Sequence, residues 1–308
     1  MNSLTIVMYH YVRRIRGSAF PMIRGLEFEG FKRQLDYLEA RFNVITAEQL
    51  IAHVLGAEEI PEKSCLLTFD DGYKDHFQYV LPELLNRKIQ GTFFPPVKAI
   101  TEREMLNVNR IHFVLACQSN LEHLIDAVRN ACLANGISGH EFAQHWRSLA
   151  VSNRFDNREV VFLKRLLQHA LPEDLRNGIC AQLFRKHVSE NPAEFANELY
   201  MSLEDTKELV ASGMYVGSHG YSHTWLNKES KQIQEHEINL SLEFLLMIGA
   251  PTENWMMCYP YGAYNDDTLS ILRAKKCSAA VTTKVGIAQL DADKLLELSR
   301  FDTNDFPQ

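Results

Sequence analysis

The stretch Cys65-Leu66-Leu67-Thr68-Phe69-Asp70-Asp71-Gly72-Tyr73 is an apolar run that stops at two adjacent carboxylates and a glycine. Its pattern predicts a buried strand that ends in a loop. Leu66, Leu67 and Phe69 can be covered on both faces only inside a sheet wrapped by helices, which is how parallel α/β sheets are built. In such folds the chemistry sits at the carboxyl ends of the strands, where Asp70 and Asp71 fall. Neighbouring carboxylates on an extended backbone point in different directions, so they can take different tasks, one on a metal and the other on a water. The competing reading of the same residues is an Asp-Asp-Gly turn that caps a helix.

Working outward, Leu4 to Tyr9 reads as a first strand ending at His10. Phe28, Phe31, Leu35, Leu38 and Phe42 recur at steps of three and four, the face of an amphipathic helix. Thr46-Ala47-Glu48-Gln49 has the form of a capping box opening a second helix. A helical pattern from about Asp75 to Asn86 leads to a strand at Gly91-Thr92-Phe93-Phe94, so a βαβ unit flanks the Asp pair. From about Thr101 to Tyr200 the character changes to long helical periodicities, such as Leu121, Leu124, Ile125 and Val128. No Pro, Gly or Ser linker sets this segment apart, which predicts a helical insertion, 101–200, within a single domain spanning 1–308. After a capped helix at Ser202, Met214 to Gly217 resumes strand character and runs into Ser218-His219-Gly220-Tyr221-Ser222-His223. A helix from about Lys228 to Ile248 follows, then a strand at Trp255 to Cys258, the turn Tyr259-Pro260-Tyr261-Gly262, a helix from Asp266, and strands at Ala279–Thr282 and Leu295–Phe301.

At 308 residues the chain is long for one domain but ordinary for an α/β barrel. A net charge of −7 gives no electrostatic ground for nucleic acid or anionic membrane partners. The six cysteines are scattered without a C-x-x-C pair and read as free thiols in a reducing compartment. Met1-Asn2-Ser3 leads straight into the first strand without the basic, apolar and small-residue regions of a secretory signal, which predicts a cytoplasmic protein unless residues once preceded Met1. No apolar run approaches membrane-spanning length.

His219 and His223 are separated by three residues, a spacing that lets two imidazoles meet one ion. With a strand-end Asp they make a three-ligand set that leaves a coordination position open for water or substrate. Thr68-Phe69-Asp70-Asp71-Gly72 followed by Ser218-His219-Gly220-Tyr221-Ser222-His223 resembles the first two motifs of the NodB-homology polysaccharide deacetylases, and Tyr259-Pro260-Tyr261-Gly262 resembles the third. The resemblance covers about residues 4–100 and 200–305. It implies a distorted (β/α) barrel with a large helical insertion, and removal of N-acyl groups, usually acetyl, from amino sugars with a divalent metal, often Zn2+. It implies Asp71, His219 and His223 as metal ligands, Asp70 as general base, and the backbone N–H of Tyr261, held by Pro260, in the oxyanion hole.

Two departures stand out. The family commonly has an arginine opening the third motif to orient the base, where this chain has Cys258; Arg300, near the end of the last strand, is the candidate substitute, against a structural ion pair. Many members have a late histidine as the acid, yet none follows His236 here. His10 is the candidate, because first and last strands of a closed barrel are neighbours; a branch acting on poly-N-acetylglucosamine has a similar Tyr-His near its start. Tyr73, Pro260, Trp225 and Arg300 are further candidates for contact with substrate, Trp225 by stacking on a sugar face or, alternatively, as core. The expected partner is an N-acylated amino sugar, nucleotide-linked, lipid-linked or in an oligosaccharide, used in building a surface glycan such as lipopolysaccharide, O-antigen or capsule. Alternatives are an N-formyl or other acyl group, a carbohydrate-binding relic without turnover, and a structural subunit that docks through the insertion.

Overall fold

Ser64–Asp70 forms a strand in which every residue is buried, as a run apolar on both faces requires. The structure, a computed structural model, describes residues 3–308; Met1 and Asn2, which open the 1–308 span and the N-terminal reading, lie outside the described residues. Seven of the main sheet's nine strands form its path: β1 (Ser3–Tyr9), β2 (Ser64–Asp70), β3 (Thr92–Phe94), β4 (Tyr215–Val216), β5 (Trp255–Cys258), β6 (Cys277–Val285) and β7 (Leu298–Asp302). Their spatial order is β4-β3-β2-β1-β7-β6-β5, every neighbouring pair parallel. The path then returns on itself. Just past β4, the Ser218 N–H donates to the Met256 carbonyl (3.0 Å) and the Cys258 N–H to the Ser218 carbonyl (2.8 Å), a parallel bridge between Ser218 and Met257. The expected distorted (β/α) barrel is therefore present, its last seam reduced to one bridge.

Alternation along the strands sorts side chains into two layers. Ile6, Leu66, Met256, Cys258, Ala279, Val281 and Leu298 share one buried cluster, with Ile45, Leu50 and Ile51 packed into it. Trp255, Met257 and Ala280, the intervening residues, pack instead with Ile238, Leu269, Ile271 and Leu272 of the covering helices. The helix α1 (Phe28–Glu39) buries Phe31, Leu35 and Leu38, as their spacing predicts. α2 (Ala47–Val54) begins with the capping box of Thr46 and Gln49. α3 (Val97–Thr101) follows β3, α4 (Lys231–Met247) precedes β5, and α5 (Asp266–Ala274) precedes β6.

The described chain divides into two units. The barrel unit comprises residues up to Arg14, Gly25–Glu104 and Ala196–Gln308. The second comprises Ile15–Arg24 and Met105–Phe195 and is built of helices, among them Asn107–Cys117, Leu121–Ala134 and Glu173–His187. Within it, Phe20 meets Phe113 and Phe195 edge-on, with centroids 4.9 and 5.6 Å apart. Contact with Phe113 and Phe195 explains why the short 15–24 segment joins a unit more than eighty residues downstream.

Candidate active site

β2 delivers the two carboxylates differently. Asp70 is the last strand residue and shares the inward face of Leu66 and Thr68. Asp71 has φ +73°, a left-handed turn that redirects the chain out of the strand. Gly72 follows at φ +66°, where a Cβ would lie 2.8 Å from Pro95 Cβ, so glycine is required twice over.

Asp70 is held by Arg300 of β7. Nη1 donates to Oδ1 (2.9 Å) and Nη2 lies 2.8 Å from Oδ2, while Nε donates to the Thr282 carbonyl and Nη1 also to Thr68 Oγ1. Burial pushes the Asp70 carboxyl up, but Arg300 and then His10 outweigh it and hold the group below its ordinary value. His10 directly follows β1, which pairs with both β2 and β7, and its Nε2 lies 3.8 Å from Asp70 Oδ2 with 40% of the side chain exposed. The buried His76 donates through Nε2 to the His10 carbonyl (2.7 Å) and fixes that backbone.

Asp71, His219 and His223 gather beside this pair. His219 Nε2 and His223 Nε2 each lie 3.3 Å from Asp71 Oδ1, and all three residues are buried. His219 Nδ1 faces the Cys258 carbonyl at 2.8 Å. A carbonyl only accepts, so Nδ1 carries the proton and the Nε2 of a neutral ring turns a lone pair toward the Asp71 carboxylate. Two lone pairs at that distance in a buried site repel unless a cation lies between them. Without a metal that cation is a proton: burial lowers the His219 pKa, but Cys258 and Asp71 raise it further, to well above its ordinary value. With a metal the same atoms are ligands.

The donor set fits such an ion. Ligand atoms of Asp71, His219 and His223 all lie within 4.8 Å of one another, and a carboxylate with two imidazoles suits zinc and its first-row neighbours. Ligand atoms of Asp70, His219 and Cys258 also lie within 4.8 Å of one another. There, however, Arg300 already binds both Asp70 oxygens, and its Nη2 donates to Cys258 Sγ (3.3 Å), so a fixed cation occupies the position.

Tyr73 is fully buried, stacks on Tyr11 (4.1 Å) and donates its hydroxyl to Asp71 Oδ2 (2.5 Å). Arg300 is likewise buried, against Asp70. Trp225 is half-buried and stacks on Tyr261 (4.7 Å, 15°), whose ring sits 4.6 Å from that of His223. Pro260 is buried, and Tyr261 adopts φ 58° in the turn. Gly262 follows at φ +67°, where a Cβ would fall 2.3 Å from Thr283 Oγ1.

Sequence reasoning passed over the Cys258 carbonyl, which leaves no residue signal, and Glu237, which does. Glu237 lies among Gln234, Ile238, Ser241, Phe244 and Leu245 on the buried face of α4, and a carboxylate on a buried face is a signal.

A parallel barrel with a carboxylate, a buried carboxylate–histidine cluster and an imidazole at the carboxyl ends of its strands is the arrangement of a metal-assisted hydrolase. The sequence model of the family described as polysaccharide deacetylase matches residues 57–145 and 183–280, more than half of the chain, and the chain belongs to that family. It is a carbohydrate deacetylase, a hydrolase of amide bonds, and its family is of a metal-dependent kind. Solved structures agree in fold. The deacetylase PplD of Streptococcus pyogenes, solved with acetate, superposes with TM-score 0.58 at 18% identity over 97% of this chain and 92% of that one. IcaB from Ammonifex degensii gives 0.58 at 19% identity over 97% and 91%. The BpsB deacetylase domain from Bordetella bronchiseptica gives 0.54 at 15% identity over 98% and 96%. A search of curated proteins gave no match. Among the described residues no helix is long and apolar enough to cross a membrane.

Proposed function

We propose that this chain removes an N-acetyl group from an amino sugar of a glycan or glycan precursor, with Asp71, His219 and His223 holding a divalent cation, Zn2+ by the chemistry of the donor set. The whole chain acts as one catalytic domain, with the helical unit inserted in it. When bound, the ion supplies Lewis-acid polarisation of the amide carbonyl and lowers the pKa of a water towards neutrality. Asp70, kept ionised by Arg300, accepts the proton of the attacking water. The Tyr261 N–H, on the Pro260 turn, donates to the oxygen on which charge develops. His10, on the open side of Asp70, gives a proton to the departing sugar nitrogen, so that amide and water become acetate and amine. Trp225 stacks on the sugar, and Tyr73 steadies Asp71 from behind.

Asp70 carries this reading. A site built only to hold an ion, as in a carbohydrate-binding relic, has no use for a second buried carboxylate pinned outside the donor set.

The test is zinc content together with acetate and formate release from a panel of N-acyl nucleotide sugars and chito-oligosaccharides. The expected result is release that chelation abolishes and zinc restores, with turnover lowered by about 10²–10⁴ in Asp70→Asn and in His10→Ala while zinc stays bound. Unchanged turnover in either variant removes that residue from its role. Zinc bound with no release from any substrate favours the relic; formate in place of acetate reassigns the acyl group.

A further inference from the structure

The segment carrying both imidazoles has little regular structure of its own. Gly220 and His223 both sit at positive φ, +71° and +57°. A histidine in the left-handed region is strained, and such a conformation persists only where the surroundings over-determine it. Two residues one helical turn apart on α4 do so. Glu237 Oε2 accepts from the backbone N–H groups of Tyr221 (3.0 Å) and Ser222 (2.8 Å), and Oε1 accepts from Ser222 Oγ (2.6 Å). Ser241 Oγ accepts from Ser218 Oγ (2.7 Å), which in turn accepts from the Gly220 N–H (3.1 Å). From the opposite side, Val97 N–H and Lys98 N–H of α3 donate to the carbonyls of Gly220 and Tyr221 (3.3 and 2.9 Å). Apart from the Gly220 N–H, which Ser218 holds, every backbone polar group named here is tied by α3 or α4.

Glu237 is 6% exposed, and among the described residues no lysine, arginine or histidine pairs with it. A buried carboxylate without a cation is costly unless hydrogen bonds satisfy it, and its three bonds come from Tyr221 and Ser222, two of the three residues between the imidazoles. We infer that Glu237, backed by Ser241, is a positioning residue that sets the separation and aim of His219 and His223 toward a metal ion. The inference rests on the ligand set proposed above. It makes α4, which contributes no atom to that set, the template on which the set is assembled.

The test measures zinc affinity by competition with a chromogenic chelator, using the metal-stripped full chain and zinc alone. Wild type binds one zinc per chain and His223→Ala binds none; wild type that takes up no zinc overturns the ligand set itself. Given wild-type binding, Glu237→Ala weakens zinc about 10–100-fold, the usual effect of losing a group that orients a ligand. Glu237→Gln stays within about threefold of wild type, since an amide oxygen still accepts both N–H groups and its NH2 reaches Ser222 Oγ. Zinc bound by Glu237→Ala as tightly as by wild type overturns the inference and leaves the ligand set standing. A loss in Glu237→Gln equal to that in Glu237→Ala also overturns it, because charge and not position would then be the cause. If Glu237→Ala does not fold, Glu237→Asp, which withdraws the carboxylate by one methylene, carries the test: weakened zinc supports the inference and unchanged zinc overturns it.

Discussion

Arg300 and Asp70 illustrate how one residue decides the character of this site. Their side chains are 0% and 2% exposed, so neither charge can turn to water if the other is lost. Breaking a buried pair on one side costs about 3–5 kcal/mol, because the survivor is left as an uncompensated charge. Arg300→Met should therefore lose stability on that scale in urea unfolding, and lose turnover as well, since Asp70 is then free to protonate or rotate. A loss below about 1 kcal/mol would show that Asp70 is satisfied without the guanidinium. Arg300 Nη2 also donates to Cys258 Sγ. The guanidinium lies beside the residue that opens the third motif, reached from β7 instead of β5. Cys258 Sγ makes only weak contacts, with Arg300 and His219, so Cys258→Ala should cost the methyl-sized cavity it leaves, about 1 kcal/mol by the same measurement.

Among the elements, the seam between β4 and β5 is the weakest join in the barrel and the one nearest the imidazoles. β4 has two residues, and its backbone pairing with β5 is the single bridge at Ser218, just past its end. Gly217 permits that approach: a Cβ there would lie 2.6 Å from the Met256 carbonyl oxygen and 2.6 Å from the Phe94 ring. Gly217→Ala must push β4 away from β5 or shift Phe94, an overpacking cost of about 1–3 kcal/mol. Because His219 follows two residues later, the variant should lose zinc affinity along with thermal stability. A melting temperature and zinc affinity both unchanged would mean that the seam yields without strain.

At the scale of the whole molecule, the thiols record how thoroughly each unit is closed. Of the six free cysteines only Cys117 is exposed. Burial pushes Cys65 of the barrel unit and Cys180 of the helical unit up to about 12, and Cys132 up to about 11. Since the thiolate is the reactive form, a disulfide reagent at pH 8 should modify one thiol rapidly in native protein and all six after unfolding. Several fast thiols in the native state would indicate that a unit opens readily. The same shifts make the fold sensitive to alkali. For Cys65 and Cys180 the folded pKa lies above the unfolded value of 9.0, so between pH 9 and about 12 the unfolded chain binds fewer protons. Stability therefore falls as pH rises through that window, by up to about 1.4 kcal/mol per pH unit for each thiol, and melting temperatures measured from pH 8 to 11 should decline accordingly.

Much of this protein is readable along the chain because the signals are local. Strand ends at Tyr9, Asp70, Phe94 and Cys258 follow from apolar runs that stop at polar or proline-rich punctuation, and the Thr46 and Ser202 caps follow from hydrogen bonds that span three residues. The paired carboxylates and the two histidines are visible for the same reason, and the structure brings His10, Asp70, Asp71, His219 and His223 to one end of the barrel. What sequence could not weigh is burial and aim. Tyr73 and Arg300 look like groups a substrate could touch, and only the packing around them shows that each is spent on an aspartate. Glu237 looks like one more helix carboxylate until α4 is laid against the histidine loop. The sequence by itself determined which residue types would stand at the strand ends, because periodicity and motif are properties of neighbours in the chain. The tertiary structure alone decided which of them face the reacting space and which hold the others in place, because side chains more than two hundred residues apart, such as Asp70 and Arg300, meet only when the barrel closes.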